Sequence, residues 1–194
     1  MFRWYRGLSL TIVHLLGVLS KSQEFSCLWR SIWNTCGWTY QEYIASEVVQ
    51  FYTEDWKPYL DLGTFNHKDS TIILSEMEWA VSFFTWELIT LQPGLERVRE
   101  KLYLALKCQM TCEEDIAYSL FGIFNVAIPV MYGKGNQAVG RLLEHVLMGS
   151  RDVTILDWTG TSGSYNSCLP IDLTVMLGLG RDKRRLERLG RGVS

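Results

Sequence analysis

Trp38 and Glu42 stand four positions apart in Gly37-Trp38-Thr39-Tyr40-Gln41-Glu42. In a helix that spacing puts both side chains on one face, so the carboxylate would lie beside an indole, in surroundings drier than bulk water. A carboxylate placed in this way is open to a raised pKa and to service as a general acid or base. The competing reading is a solvated surface glutamate next to a core tryptophan. Spacing alone does not separate the two.

Other residues with reactive chemistry lack partners in the sequence. Ser119, Cys108 and Cys168 have no recognisable histidine beside them, and His14, His67 and His145 are isolated from one another. A serine or cysteine hydrolase is therefore disfavoured. Cys108-x3-Cys112 could share a helix face as half a metal site, but the second half is missing. Glu113-Glu114-Asp115 could face a cation; three acids at a helix start also oppose the backbone dipole, which is the simpler reading. No metal site is expected. Gly133-Lys134-Gly135-Asn136-Gln137-Ala138 fits the loose dinucleotide pattern G-x-G-x-x-A. Pro129 spoils the preceding run as a central strand, however, and helices rather than a βαβ unit come before it. Two glycines that free the chain for a turn and a helix start are enough to explain it.

The elements that would carry these residues can be read from periodicity. Residues 1–6 resemble a helix end. Leu8 to Leu19 is an apolar run after Arg3 and Arg6, the pattern of a signal peptide, yet it is too short to span a bilayer and equally suits a buried strand at 9–16. The scattered cysteines favour the strand, because five thiols at unrelated spacings speak against secretion. A helix carrying Trp38, Glu42 and Ile44 follows, then a second strand at Val48 to Tyr52. Ile72, Ile73, Met77, Ala80, Val81, Phe84 and Leu88 recur at helical spacing until Pro93-Gly94. Leu95 to Leu106 predicts an amphipathic helix with Arg97, Arg99, Glu100 and Lys101 on its polar side. Thr111 and Glu114 form a capping-box pattern before a helix reaching Phe124. Another helix follows Gly135, and Val153 to Trp158 predicts a last strand before a Gly/Ser loop.

The 194 residues are 47% apolar, 13% aromatic and 21% charged, a globular composition. The net charge of -2 is uneven: residues 177–194 carry +4, leaving -6 on residues 1–176. An acidic body gives no reason to expect nucleic-acid binding. The basic tail, residues 177–194, is expected to be solvated and disordered.

Several segments together resemble the fungal heterokaryon incompatibility (HET) domain and the helical region that accompanies it. Gly37-Trp38-Thr39-Tyr40-Gln41-Glu42 resembles the signature R-G-W-T-L-Q-E, and Val49-Gln50-Phe51-Tyr52 with Trp56 looks like the strand and turn that follow. Glu113-Glu114-Asp115-Ile116-Ala117-Tyr118-Ser119-Leu120-Phe121-Gly122-Ile123-Phe124 resembles E-E-D-x-A-Y-x-L-x-G-I-F. Pro129-Val130-Met131-Tyr132-Gly133-Lys134-Gly135 resembles P-x-x-Y-G-E-G, and the similarity extends through Ile155 to Pro170. The motif residues carried over are Gly37, Trp38, Gln41, Glu42, Glu114, Asp115, Tyr118, Gly122, Tyr132, Gly133 and Gly135.

The resemblance implies an α/β, Toll/interleukin-1 receptor (TIR)-like remnant over residues 1–60 and a helical companion region over 61–176, helix-rich α+β overall. It implies a cytoplasmic protein of vegetative incompatibility, acting in non-self recognition and programmed cell death through self-association or a protein partner, without cofactor, membrane or nucleic acid. Some TIR domains cleave NAD through a glutamate four positions after a tryptophan. By that analogy Glu42 is the catalytic candidate of an alternative, NAD-cleaving reading in which NAD is substrate; a structural remnant without function is the other alternative. Cys36 replaces the signature arginine and Lys134 the acid of Y-G-E-G. The L-S-Y-x-W-G and W-I-D-x-x-C-I-x-Q segments are absent, so the chain is expected to be a truncated copy.

Overall fold

The computed structural model describes residues 2–22, 26–61, 63–81, 90–103, 105 and 110–175. The basic tail, Phe84, Leu88, Leu106 and Cys108 lie outside them. The chain divides into two compact units, residues 1–94 with 107–111, and residues 95–106 with 112–194.

The first unit is built on a parallel strand pair. Helix α1 (Phe2–Arg6) leads to strand β1 (Thr11–Leu15), and β2 (Val49–Thr53) pairs beside it in the register Thr11 to Val49 through Leu15 to Thr53. Parallel strands cannot be joined by a hairpin. The connection here passes through α2 (Cys27–Arg30), a 3-10 turn at Ile32–Thr35 and α3 (Gly37–Ala45). Valine, isoleucine and phenylalanine suit the pleat, and Val13, Leu15, Val49, Phe51 and Thr53 are buried on one face. The run expected to be a buried strand at 9–16 is therefore shorter and one-sided. Ile12 and Leu16 are 51% and 61% exposed, because among the described residues only one sheet face is covered. Helix α4 (Thr71–Val81) adds to the core of this unit, its Ile73 and Met77 fully buried.

In the second unit, α5 (Val98–Tyr103), α6 (Glu114–Phe124) and α7 (Gln137–Ser150) form the core with Leu102, Leu120, Ile123, Phe124, Leu142, Leu143 and Val146. Helix α5 starts later than periodicity predicted, since Arg97 adopts φ +54°. Lys101 is then not on a polar side. It sits three residues after Val98, on the same face, and is only 2% exposed; desolvation lowers its pKa. The Thr111 capping box does not form either, because α6 begins at Glu114 with Glu113 as an N-cap residue that makes no side-chain cap bond. Asn125 ends α6 in the left-handed region, its amide reaching the Gly122 carbonyl while that of Val126 reaches Phe121, the pattern of a Schellman stop.

The strand expected at Val153 to Trp158 is a 3-10 turn, Val153–Leu156. The Asp152 side chain accepts from the Thr154 amide at 3.0 Å, and such local bonds compete with an extended ladder. Among the described residues no helix is long and apolar enough to cross a membrane.

Candidate functional site

The motif residues resolve into one arrangement in each unit. In the first, α3 begins at Gly37 and presents Trp38 and Glu42, both half-buried, while Gln41 turns inward and is 1% exposed. The partner of the Glu42 carboxylate is the Tyr5 hydroxyl on α1, which donates to Oε1 at 2.8 Å. Burial, reinforced by that bond and by the Glu42 charge, pushes the Tyr5 phenol up to about 12. Tyr5 therefore stays a neutral donor at physiological pH, and the pair ties α1 to α3. The C-terminal end of α3 is fastened as well: the Lys68 ammonium donates to the carbonyls of Tyr43 and Ser46 at 2.9 and 2.8 Å. A cation at that end opposes the helix dipole favourably.

Two cavities open in this unit. One, about 700 Å³, is lined by residues including Arg6, Tyr43, Glu47, Lys68 and Asp69; the other, about 340 Å³, includes Gln50, Tyr52, Phe65 and His67. Glu42 lines neither.

The unit also contains a carboxylate that the sequence reading passed over. Glu76 on α4 is fully buried. Its Oε2 accepts from the amides of Leu28 and Trp29 at 2.9 and 3.3 Å, and its Oε1 from the Tyr59 hydroxyl at 2.8 Å. Glu76 thereby serves the backbone donors at the start of α2, which has no capping side chain of its own. The signal was present: Glu76 falls three residues after Ile73, in the middle of the apolar stripe.

In the second unit, the two motif blocks bind each other. The Glu114 carboxylate accepts from the amides of Lys134 and Gly135, both at 2.9 Å. Tyr132 donates to Asp115 at 2.8 Å, and the Tyr118 hydroxyl both accepts from the Met131 amide at 2.8 Å and donates to its carbonyl at 2.7 Å. The rings of Tyr118 and Tyr132 meet edge to face at 5.3 Å. This interlock fixes the loop before α7 onto the start of α6.

The glycines follow from the same geometry. Gly133 and Gly135 have φ of +79° and +52°, a region that side-chain-bearing residues enter at a cost. A Cβ on Gly135 would also stand 3.1 Å from Glu113 Oε2. Amides exposed by such a turn make an anion site, and here the protein's own carboxylate occupies it, which accounts for the glycine pattern without a nucleotide. Backbone hydrogen bonds hold the Glu114 pKa below its usual value. Lys134 contributes its amide to the interlock, so a lysine serves there as well as an acid would. Gly122 belongs to the stop signal of α6. Among the described residues no group of three or more histidine, cysteine, aspartate or glutamate side chains is placed to hold a metal ion.

No family model matches the chain, and no solved structure matches it. Among curated proteins, it is 32% identical over 155 residues to the Vegetative incompatibility protein HET-E-1 of Podospora anserina. That stretch is 75% of this chain and 11% of the relative, so the chain spans about a tenth of the protein it matches. With three quarters of its residues aligned to that relative, the chain belongs among the fungal incompatibility proteins of HET type.

Proposed function

We propose that the chain acts in non-self recognition and cell-death signalling, and that it does so through protein contacts, by self-association or by binding a partner, in the cytoplasm. The observation that carries the reading is the similarity to a vegetative incompatibility protein over 155 residues. The interlock supports it in kind: the motif residues Glu114, Asp115, Tyr118, Tyr132 and Gly135 spend their polar groups between the two motif blocks, Tyr118 on the Met131 backbone, as residues do that shape a surface rather than transform a substrate. In the first unit, a parallel pair with a helical crossover is consistent with a TIR-like α/β remnant. NAD cleavage through Glu42 is not the favoured reading, because Tyr5 engages that carboxylate and neither cavity includes it.

The test is inducible expression of the whole chain in a fungal host, alongside Glu114→Gln. Growth arrest with wild type, weakened in the variant as the Gly133–Gly135 turn loses its acceptor, supports the proposal. Unimpaired growth at all expression levels, with no protein recovered on the tagged chain, overturns it.

A further inference from the structure

Three consecutive residues, Asn66, His67 and Lys68, fasten α3 and β2 to one another. On β2, alternate amides are taken by side chains and a turn: Val49 donates to Asn66 Oδ1 at 3.1 Å, Phe51 to His67 Nδ1 at 3.0 Å and Thr53 to the Lys57 carbonyl at 2.9 Å. Lys68 reaches the other way, to the Tyr43 and Ser46 carbonyls at the end of α3. Asn66 also donates to the Glu47 carbonyl at 3.3 Å, in the link between the two elements. With the 3-10 turn His67–Asp69 at its centre, this clasp ties the helix that carries the Gly37 to Glu42 motif to the strand that follows it.

One acceptor in the clasp titrates near neutral pH. The Asn66 amide oxygen and the Lys57 carbonyl accept at any pH, but an imidazole nitrogen accepts only while it carries no proton. Once protonated, Nδ1 would set an N–H against the N–H of Phe51. Phe51 is fully buried and His67 is 4% exposed, with the two rings near parallel at 6.1 Å, so water does not replace the lost acceptor while the clasp stays closed. The charged and titratable groups of the elements packed around His67 are Lys68 and Asp69 on its own turn, Tyr52 of β2 beside the same cavity, Tyr43 of α3 under the Lys68 ammonium, and Glu76 and Glu78 of α4. Among the described residues no carboxylate bonds to the imidazole. Burial accordingly lowers its pKa, and the half-buried Lys68 next to it adds a like charge to any imidazolium formed there.

We infer that the clasp is an acid-released switch: protonation of His67 lifts Asn66 to Asp69 from β2 and unfastens the end of α3, while β1 and β2 stay paired. In the open form the imidazole has the ordinary value of about 6.5, above that of the closed form, so the open form takes up the proton first. The opening constant is then flat above about pH 6.5, rises about tenfold for each pH unit below it, and levels off once the closed form also titrates. The switch goes beyond the signalling reading and does not depend on it, since every group in it belongs to the first unit.

The test is amide exchange of the whole chain by NMR between about pH 7.5 and 5, each rate divided by the intrinsic rate at that pH. Protection at Phe51 should fall about tenfold per pH unit below about 6.5, and Val49 should follow as Asn66 leaves. The Thr11 amide, bonded to Val48 across the strand pair, and the interior of α6 should hold. In His67→Gln, whose Oε1 accepts from the same amide and takes no proton, Phe51 should stay protected down to about pH 5. Should that variant fail to fold, titration of the His67 ring protons in wild type serves instead, and the ring should titrate below 6.5 in step with the loss at Phe51. Protection at Phe51 that ignores pH, a loss that persists in His67→Gln, a ring that titrates at or above 6.5, or an equal fall at Thr11 overturns the inference.

Discussion

Removing the buried Glu76 carboxylate tests the reasoning about the first unit most directly. Glu76→Ala takes an acceptor from the amides of Leu28 and Trp29 and from the Tyr59 hydroxyl. Leu28 is the least affected, because the Tyr59 oxygen lies 3.2 Å from its nitrogen as a second acceptor. The Trp29 amide and the Tyr59 hydroxyl then each lose a bond to a charged group, each contributing about 1.5–3 kcal/mol. One of them, at 3.3 Å, is long and belongs at the low end. The sum is about 3–5 kcal/mol, against a total of about 5–15 kcal/mol for a typical domain. Glu76→Gln keeps the shape and one acceptor oxygen. If that oxygen faces the two amides, the new amide group faces Tyr59 and turns its hydroxyl from donor to acceptor. The cost should be about 1–2 kcal/mol. Urea unfolding followed by circular dichroism gives the order wild type, Gln, Ala. Amide exchange gives the location, with protection lost at Leu28 and Trp29 before it is lost in β1 and β2. An alanine variant within about 0.5 kcal/mol of wild type, or one that keeps protection at Trp29, would refute the assignment of Glu76 as the cap of α2.

Two further outcomes concern titration. Burial lowers the pKa of His67 below the ordinary histidine value of about 6.5, and its Nδ1 must remain unprotonated to accept from Phe51. The unfolded chain therefore takes up the proton first on acidification: stability should be constant above about pH 6.5 and fall below it, until the folded histidine also titrates. Denaturation midpoints across pH 5–8 should show this slope, and it should flatten in His67→Gln; an unchanged slope would exclude His67 as its source. The bond to Asp115 raises the Tyr132 phenol to about 12. Spectrophotometric titration of Asp115→Asn should bring one tyrosine back toward 10, and a variant with the wild-type curve would contradict the bond.

Much of the fold was legible because it is local. The six-residue Gly37 to Glu42 segment falls on a helix, Val48 to Tyr52 marks β2 within a residue, and the block from Glu114 to Phe124 coincides with α6. Apolar spacing and a left-handed Asn125 stop are properties of neighbouring residues. The misreadings share a different cause. Val153–Leu156 carries strand-forming side chains but turns because Asp152 bonds to Thr154. Lys101 has a charge that belongs on a surface and lies buried, since helix phase, set by where α5 starts, outranks residue type.

The sequence by itself determined the family resemblance, the helical blocks and the parallel pair's two strands, since each rests on residue order over a few turns. Which polar groups meet was decided only by the tertiary structure. Glu42 could have faced a ligand, and Tyr5, 37 positions away, occupies it; Glu114 could have completed a capping box begun by Thr111, and the amides 20 and 21 positions on take its carboxylate. Partners at such distances leave no periodicity to read, because chain separation and spatial contact become independent once the chain turns back on itself.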